Sequence, residues 1–214
     1  KKHQQPATLN VKSNLDKLTL NDMQVFRFNF RHEKNQKILY LHGGYNTLQP
    51  SPFHWRLLDK LTLNTLHEVV LPIYPKSPDY HYLETFKAIR DVYNQLVEEV
   101  GADNIVMMGD GSGGGLALSF VQSLINDNQE VPRKLFLLSP LLDATLTNPN
   151  ITQTLEENDI LVSRFGVHQL MKSWTNDLPL SDARISPLYG TLKGLPPIYM
   201  YGGGREILSP DMHI

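Results

Sequence analysis

Met108-Gly109-Asp110-Gly111-Ser112-Gly113-Gly114-Gly115-Leu116-Ala117 stands between two segments of different periodicity. Residues 104–108 are a short apolar run, the pattern of a buried strand, and residues 114–126 carry apolar side chains at helical spacing. A glycine-rich turn entered from a strand and left by a helix has three uses. It can expose one side chain above a sheet, as a nucleophile elbow does. It can cradle a phosphate on helix N–H groups, but the lysine of G-x-x-x-x-G-K-[ST] is absent. It also satisfies G-x-G-x-x-G between Gly109 and Gly114. That fingerprint belongs to the first βαβ unit of a dinucleotide-binding fold, whereas here it follows a late strand. The elbow is the reading carried forward.

The segments on either side repeat the alternation. Residues 134–138 and 197–201 read as strands. Upstream, Leu83, Phe86, Ile89, Val92, Tyr93, Leu96, Val97 and Val100 mark one face of a long helix that Gly101 stops. Residues 68–73 are a β-rich run ended by Pro72 and Pro75, and residues 53–64 carry Trp55, Leu58 and Leu61 at helical spacing. Residues 37–41 form a short buried strand after a polar turn at 32–36, and Phe26, Phe28 and Phe30 alternate with Arg27 and Asn29. This order predicts a single α/β domain over residues 1–214, with a mostly parallel central sheet flanked by helices on both faces. Residues 143–189 break the rhythm with a polar turn, Asn148-Pro149-Asn150, and a helix signal over 163–174 carrying Phe165, Val167, Leu170 and Met171. An insertion after a strand's carboxyl end lies over the ligand crevice of an open α/β sheet, so a partial lid or cap is expected there. The alternative is a surface excursion without function.

A second glycine motif, Tyr40-Leu41-His42-Gly43-Gly44-Tyr45, directly follows a predicted strand. Glycines let backbone N–H groups turn into a crevice with no Cβ in the way, and one such donor aimed at an oxyanion contributes about 3 kcal/mol. An ordinary Gly-Gly turn with a packed histidine is the competing reading.

Composition excludes several classes. The 214 residues are 41% hydrophobic and 20% charged with net charge −2, and no block of Lys and Arg gives a nucleic-acid footprint. The chain has no cysteine, which removes a disulfide scaffold, a thiol nucleophile and a cysteine zinc site, and fits a reducing, cytoplasmic location. The most apolar run, residues 135–142, is too short to span a bilayer, and the first residues hold no apolar signal core. The histidines show no H-x-x-x-H or H-E-x-x-H spacing, so no metal site and no cofactor are expected.

Taken together, the two glycine motifs resemble those of the hormone-sensitive-lipase-like branch of the α/β-hydrolases, whose members carry HGGG and then G-D-S-A-G-G-x-L-A. The resemblance runs from about Phe26 to Asp211 and includes Leu138-Ser139-Pro140, Ser186-Pro187-Leu188 and Leu195-Pro196-Pro197. It implies the α/β-hydrolase fold and a serine carboxylesterase or lipase that needs no cofactor. The reaction implied is an acyl-enzyme route on small apolar ester substrates, with His42, Gly43 and Gly44 in the oxyanion loop and residues around Phe165, Leu170 and Trp174 as pocket walls.

The pattern departs from the family at its centre. Aligned on its flanks, G-D-S-A-G-G becomes Gly109-Asp110-Gly111-Ser112-Gly113-Gly114, with Gly111 at the serine position and Ser112 where alanine stands. Either Ser112 is a shifted nucleophile, or Gly111 holds the apex and the nucleophile is lost. The second register keeps the family's spacing of strand, turn and helix and leaves the Ser112 N–H as an oxyanion donor. By the resemblance Glu206, in Gly203-Gly204-Arg205-Glu206-Ile207-Leu208, is the acid of the triad, with Asp211 in reserve; the competing reading of Glu206 is a carboxylate at a helix start. The order Ser, acid, His puts the histidine a strand and loop further on, and the chain reads as ending before it. His213 is too close to Glu206, and His54, His67, His81 and His168 read as surface or packing residues. Two functions follow. The chain is an ester hydrolase using Ser112 and Glu206, or an inactive relative that binds a ligand or partner.

Overall fold

The computed structural model describes residues 3–7, 9–29 and 36–214. Seven strands, β1 (Asn14–Leu20), β2 (Met23–Asn29), β3 (Lys37–Leu41), β4 (Glu68–Pro72), β5 (Ile105–Asp110), β6 (Lys134–Leu138) and β7 (Ile198–Tyr201), form one sheet in the order β1-β2-β4-β3-β5-β6-β7. The β1–β2 hairpin and the β2–β4 pair are antiparallel, and every pair from β4 to β7 is parallel. The expected mostly parallel sheet is therefore present. Phe30 and residues 32–35 of the anticipated polar turn lie outside the described residues.

Helices α1 (Pro52–Thr65), α2 (Tyr82–Val100) and α3 (Ser112–Asn126) follow β3, β4 and β5. Alternation along each strand sends its side chains to opposite faces. Leu39, Leu41, Met107, Leu135 and Leu137 pack with α2 and α3, burying Ile89, Tyr93, Phe120 and Leu124. Ile38, Tyr40, Phe26, Phe28, Val69 and Leu71 point the other way, onto Trp55 and Leu58 of α1. The large core thus sits on the α2–α3 side, and α1 covers the smaller one together with Leu9 and Val11 of the N-terminal arm. The edge strand β1 had no expectation behind it. Its side chains are exposed or half-exposed throughout, so no apolar alternation marks it, and pairing with β2 holds it in place.

Asp59 of α1 ties down the N-terminal arm. It is 8% exposed and accepts the Lys12 N–H, the Ser13 N–H and, at 2.7 Å, the Ser13 hydroxyl. Burial pushes its pKa up, but the Ser13 and Lys12 hydrogen bonds outweigh that and hold it below the ordinary carboxylate value. A depressed pKa stabilises the fold at neutral pH, and the contribution disappears as pH falls through the lowered value. Asp59→Ala is expected to cost about 2 kcal/mol in urea unfolding at pH 7, because it orphans several donors at once. A cost under about 0.5 kcal/mol, the scatter of ordinary surface substitutions, would show the arm to be held by packing alone.

Between β6 and β7 the chain makes the excursion anticipated at 143–189, with a short helix α4 (Gln153–Asn158) as well as α5 (Arg164–Lys172). Both begin on a hydroxyl cap: Thr152 Oγ1 accepts from the Leu155 N–H, and Ser163 Oγ accepts from the Gly166 N–H. The excursion crosses the carboxyl ends of the strands. Met171 Sδ meets Asn46 Nδ2 after β3, Ser173 Oγ bonds Ser77 Oγ after β4, and Asp159 accepts the Ile207 N–H after β7. Trp174, expected as a pocket wall, is 1% exposed and donates its indole N–H to Thr85 of α2, while Phe165 is 73% exposed. The indole is an anchor bolting the excursion to α2, and Phe165 faces solvent. The helical spacing of these residues was visible in the sequence, but which face met the core was not.

Candidate active site

The turn between β5 and α3 is an elbow with Gly111 at its apex. Gly111 has φ 52° and ψ −124°, a conformation that a side chain strains to adopt, and a Cβ built there would meet nothing within 4 Å. Tight packing of α3 on the sheet is what makes the turn so sharp. A Cβ on Gly113 would fall inside the Leu41 carbonyl, and one on Gly115 inside the Leu141 carbonyl. The expected register with Gly111 at the apex is the one observed.

Ser112, the first residue of α3, is 3% exposed, and its Oγ accepts the Tyr45 N–H at 2.7 Å. The hydroxyl therefore lies against the glycine loop after β3, as a shifted nucleophile requires, although it does not occupy the apex. Its own N–H is one of the donors that the first turn of α3 leaves unpaired within the helix.

Asp110 joins that loop to the elbow. Its carboxylate accepts the Gly43 N–H at 3.0 Å, the Tyr40 hydroxyl at 2.8 Å and His54 Nε2 at 3.1 Å. The Ser51 N–H donates to His54 Nδ1 at 2.9 Å, which puts the imidazole proton on Nε2, facing Asp110. Burial raises the Asp110 pKa, but the bonds from His54, Tyr40 and Gly43 outweigh it and keep the carboxylate ionised below its ordinary range. His54 is thus a partner of the elbow rather than the packing residue expected. The link spans 56 positions of sequence, and the only local signal was its place three residues after Ser51, at the start of α1. Gly43, expected from the motif to serve an oxyanion, donates its N–H to Asp110.

His42 supports the loop from below. It is fully buried, with Nδ1 2.6 Å from the Gly43 carbonyl and its ring stacked on Tyr74 at 4.8 Å. The Tyr74 hydroxyl donates to the His42 carbonyl. Burial pushes the His42 pKa well below its ordinary value, assisted by nearby Lys76, so the imidazole is neutral.

Glu206 follows β7 and lines a cavity of about 460 Å³ between residues 158–161 and 203–206. Its Oε2 is buried with no hydrogen-bond partner, an unusual state for a carboxylate oxygen. Asp211, the reserve acid, is 3% exposed and accepts from Asn148 Nδ2; burial raises its pKa. Among the described residues no hydrogen bond joins a histidine to Ser112 or Glu206, and His213 is exposed. His168 bonds the Thr145 carbonyl within the excursion.

A family profile described as alpha/beta hydrolase fold matches residues 38–213. The chain belongs to the α/β-hydrolase family. Among its relatives is a triacylglycerol lipase of Mycobacterium tuberculosis, 30% identical over 192 residues that cover 89% of this chain and 39% of the lipase. An esterase of Acinetobacter venetianus is 35% identical over 178 residues, covering 82% of this chain and 58% of the esterase. The α/β-hydrolase chain described here therefore spans about half the length of these curated relatives. A Staphylococcus aureus protein, solved as a candidate esterase, superposes with a TM-score of 0.98 at 66% identity over all of this chain and 72% of that one. An esterase of the bacterial hormone-sensitive lipase family shares the α/β-hydrolase fold at 24% identity, with a TM-score of 0.89 over 96% of this chain and 69% of that one.

Proposed function

We propose that this α/β-hydrolase is a carboxylic ester hydrolase that works through an acyl-enzyme on small apolar esters. The observation that supports the reading is the 2.7 Å hydrogen bond from the Tyr45 N–H to Ser112 Oγ beside the elbow apex, which joins a hydroxyl to the glycine loop after β3. In this reading the serine oxygen adds to the ester carbonyl carbon and its proton passes to a base. The alcohol then leaves, and water hydrolyses the acyl-enzyme. The N–H groups of Gly44, Tyr45 and Ser112 are assigned to the oxyanion, and the unpaired Glu206 oxygen to the acid that orients a histidine. Residues 143–189 act as a lid over the carboxyl ends of the strands, within a single catalytic domain. No helix of the described residues is long and apolar enough to cross a membrane, and a cytoplasmic location belongs to the same proposal.

One observation favours a second reading, a ligand-binding relative without turnover: the apex is a glycine. Treating the protein and its Gly111→Ser variant with an alkyl fluorophosphonate, then mapping the adduct by peptide mass, separates the two. An adduct on Ser112 of the unaltered chain is the expected result. An unlabelled native chain, with an adduct on residue 111 of the variant, would sink the shifted-serine mechanism and leave the binding reading.

A further inference from the structure

We propose that the Ser112 hydroxyl is a built-in occupant of the oxyanion site, holding in the resting protein a backbone donor that the reacting carbonyl oxygen needs. The proposal rests on the ester-hydrolase reading. Three successive N–H groups follow His42 in the glycine loop. The first, on Gly43, is held by Asp110 at 3.0 Å, and the third, on Tyr45, is held by Ser112 Oγ at 2.7 Å. The distance to Ser112 Oγ is that at which an oxyanion-hole donor grips its oxygen. The oxygen belongs to a side chain that is 3% exposed, so solvent does not compete for the bond.

The arrangement follows from the one-residue displacement of serine in the elbow. At the apex, a side chain would project into open space, since a Cβ on Gly111 meets nothing within 4 Å. At position 112 the side chain instead starts from the first turn of α3 and reaches across to the loop after β3. An alanine there would keep the position 112 N–H and leave the Tyr45 N–H free for a ligand oxygen. With serine, a substrate carbonyl has to displace the hydroxyl by rotation about the Cα–Cβ bond, and the Tyr45 N–H then passes from hydroxyl to oxyanion. Ser112 thereby sets whether the hole is open.

The test is titration of the ¹⁵N-labelled protein and its Ser112→Ala variant with butylphosphonate, a stable tetrahedral oxyanion, following the Tyr45 amide by NMR. The variant is expected to bind about tenfold more tightly, the competition of one hydrogen bond, with the Tyr45 amide moving on titration. In the native chain that amide is expected to move only at about tenfold higher butylphosphonate, as the ligand displaces the Ser112 hydroxyl. Equal affinities, a Tyr45 amide that moves in neither protein, or binding by neither would overturn the proposal. Failure of the hydrolase reading shows separately, as absence of any fluorophosphonate adduct, because the titration needs no chemistry.

Discussion

Gly115→Ala is expected to cost about 3 kcal/mol or more, and to lower the yield of folded protein, despite the gain in helix propensity. An alanine in a helix interior is favoured over glycine by roughly 1 kcal/mol. Here the added Cβ falls inside the Leu141 carbonyl, and Leu141 is itself held to the elbow by its N–H bond to the Gly111 carbonyl at 2.8 Å. Backbone on both sides of the clash has to move, and overpacking of that kind outweighs propensity. Gly204→Ala is the control, because a Cβ there meets nothing within 4 Å, and its stability should stay within about 0.5 kcal/mol of the native chain. Thermal and urea unfolding of both variants read the difference directly. Gly115→Ala as stable as the native chain would mean that the contact between α3 and the chain after β6 yields easily, and that the elbow is less constrained than its geometry implies.

The second large effect concerns Lys76, which lines a cavity of about 760 Å³ between α2 and the β1–β2 hairpin. It is 7% exposed, donates to the Tyr74 carbonyl at 2.7 Å and sits 4.3 Å from the Tyr74 ring centroid. Burial lowers its pKa from the ordinary 10.5 to about 7. Above the ordinary value both folded and unfolded chains carry a neutral amine. Between the two values the unfolded chain holds a proton that the folded chain lacks, so this group makes stability fall as pH drops from about 10 to about 7. Below about 7 both states are charged, and the effect levels off. Taken over the whole window, the linkage amounts to roughly 5 kcal/mol. Lys76→Met removes it, so its stability advantage over the native chain should grow steadily as pH is lowered from about 9.5 to 7. The buried tyrosines Tyr40 and Tyr74, whose pKa values are raised by burial, stay neutral in the folded chain across this window. Parallel curves of unfolding free energy against pH would show that the Lys76 amine keeps its proton throughout.

The two effects bear on the two glycine segments, one on each. Gly115 keeps α3 pressed against the chain after β6, and Lys76 packs on Tyr74, whose hydroxyl holds the His42 carbonyl. The glycine loop after β3 is thus held in part by groups outside the motif that announces it.

Local information in the chain determined the alternation of strands and helices, the two glycine motifs and the elbow between β5 and α3. Periodicity of 2 or 3.6 residues, short continuous apolar runs and glycine-specific turns are all properties of neighbouring residues. The register with Gly111 at the apex came from the spacing of the resembled family, and the close packing of the glycines that follow it is visible only in the fold. Tertiary structure alone decided the rest. The exposed strand β1 had no apolar pattern to reveal it, and the roles of Trp174 and Phe165 depended on which side of the excursion met α2. His54 met Asp110 across 56 positions, and Tyr45 met Ser112 across 67. Hydrogen bonds of that range form only after the sheet has brought β3 beside β5. For that reason the sequence showed a serine one place out of register but could not show which backbone donor its hydroxyl would hold.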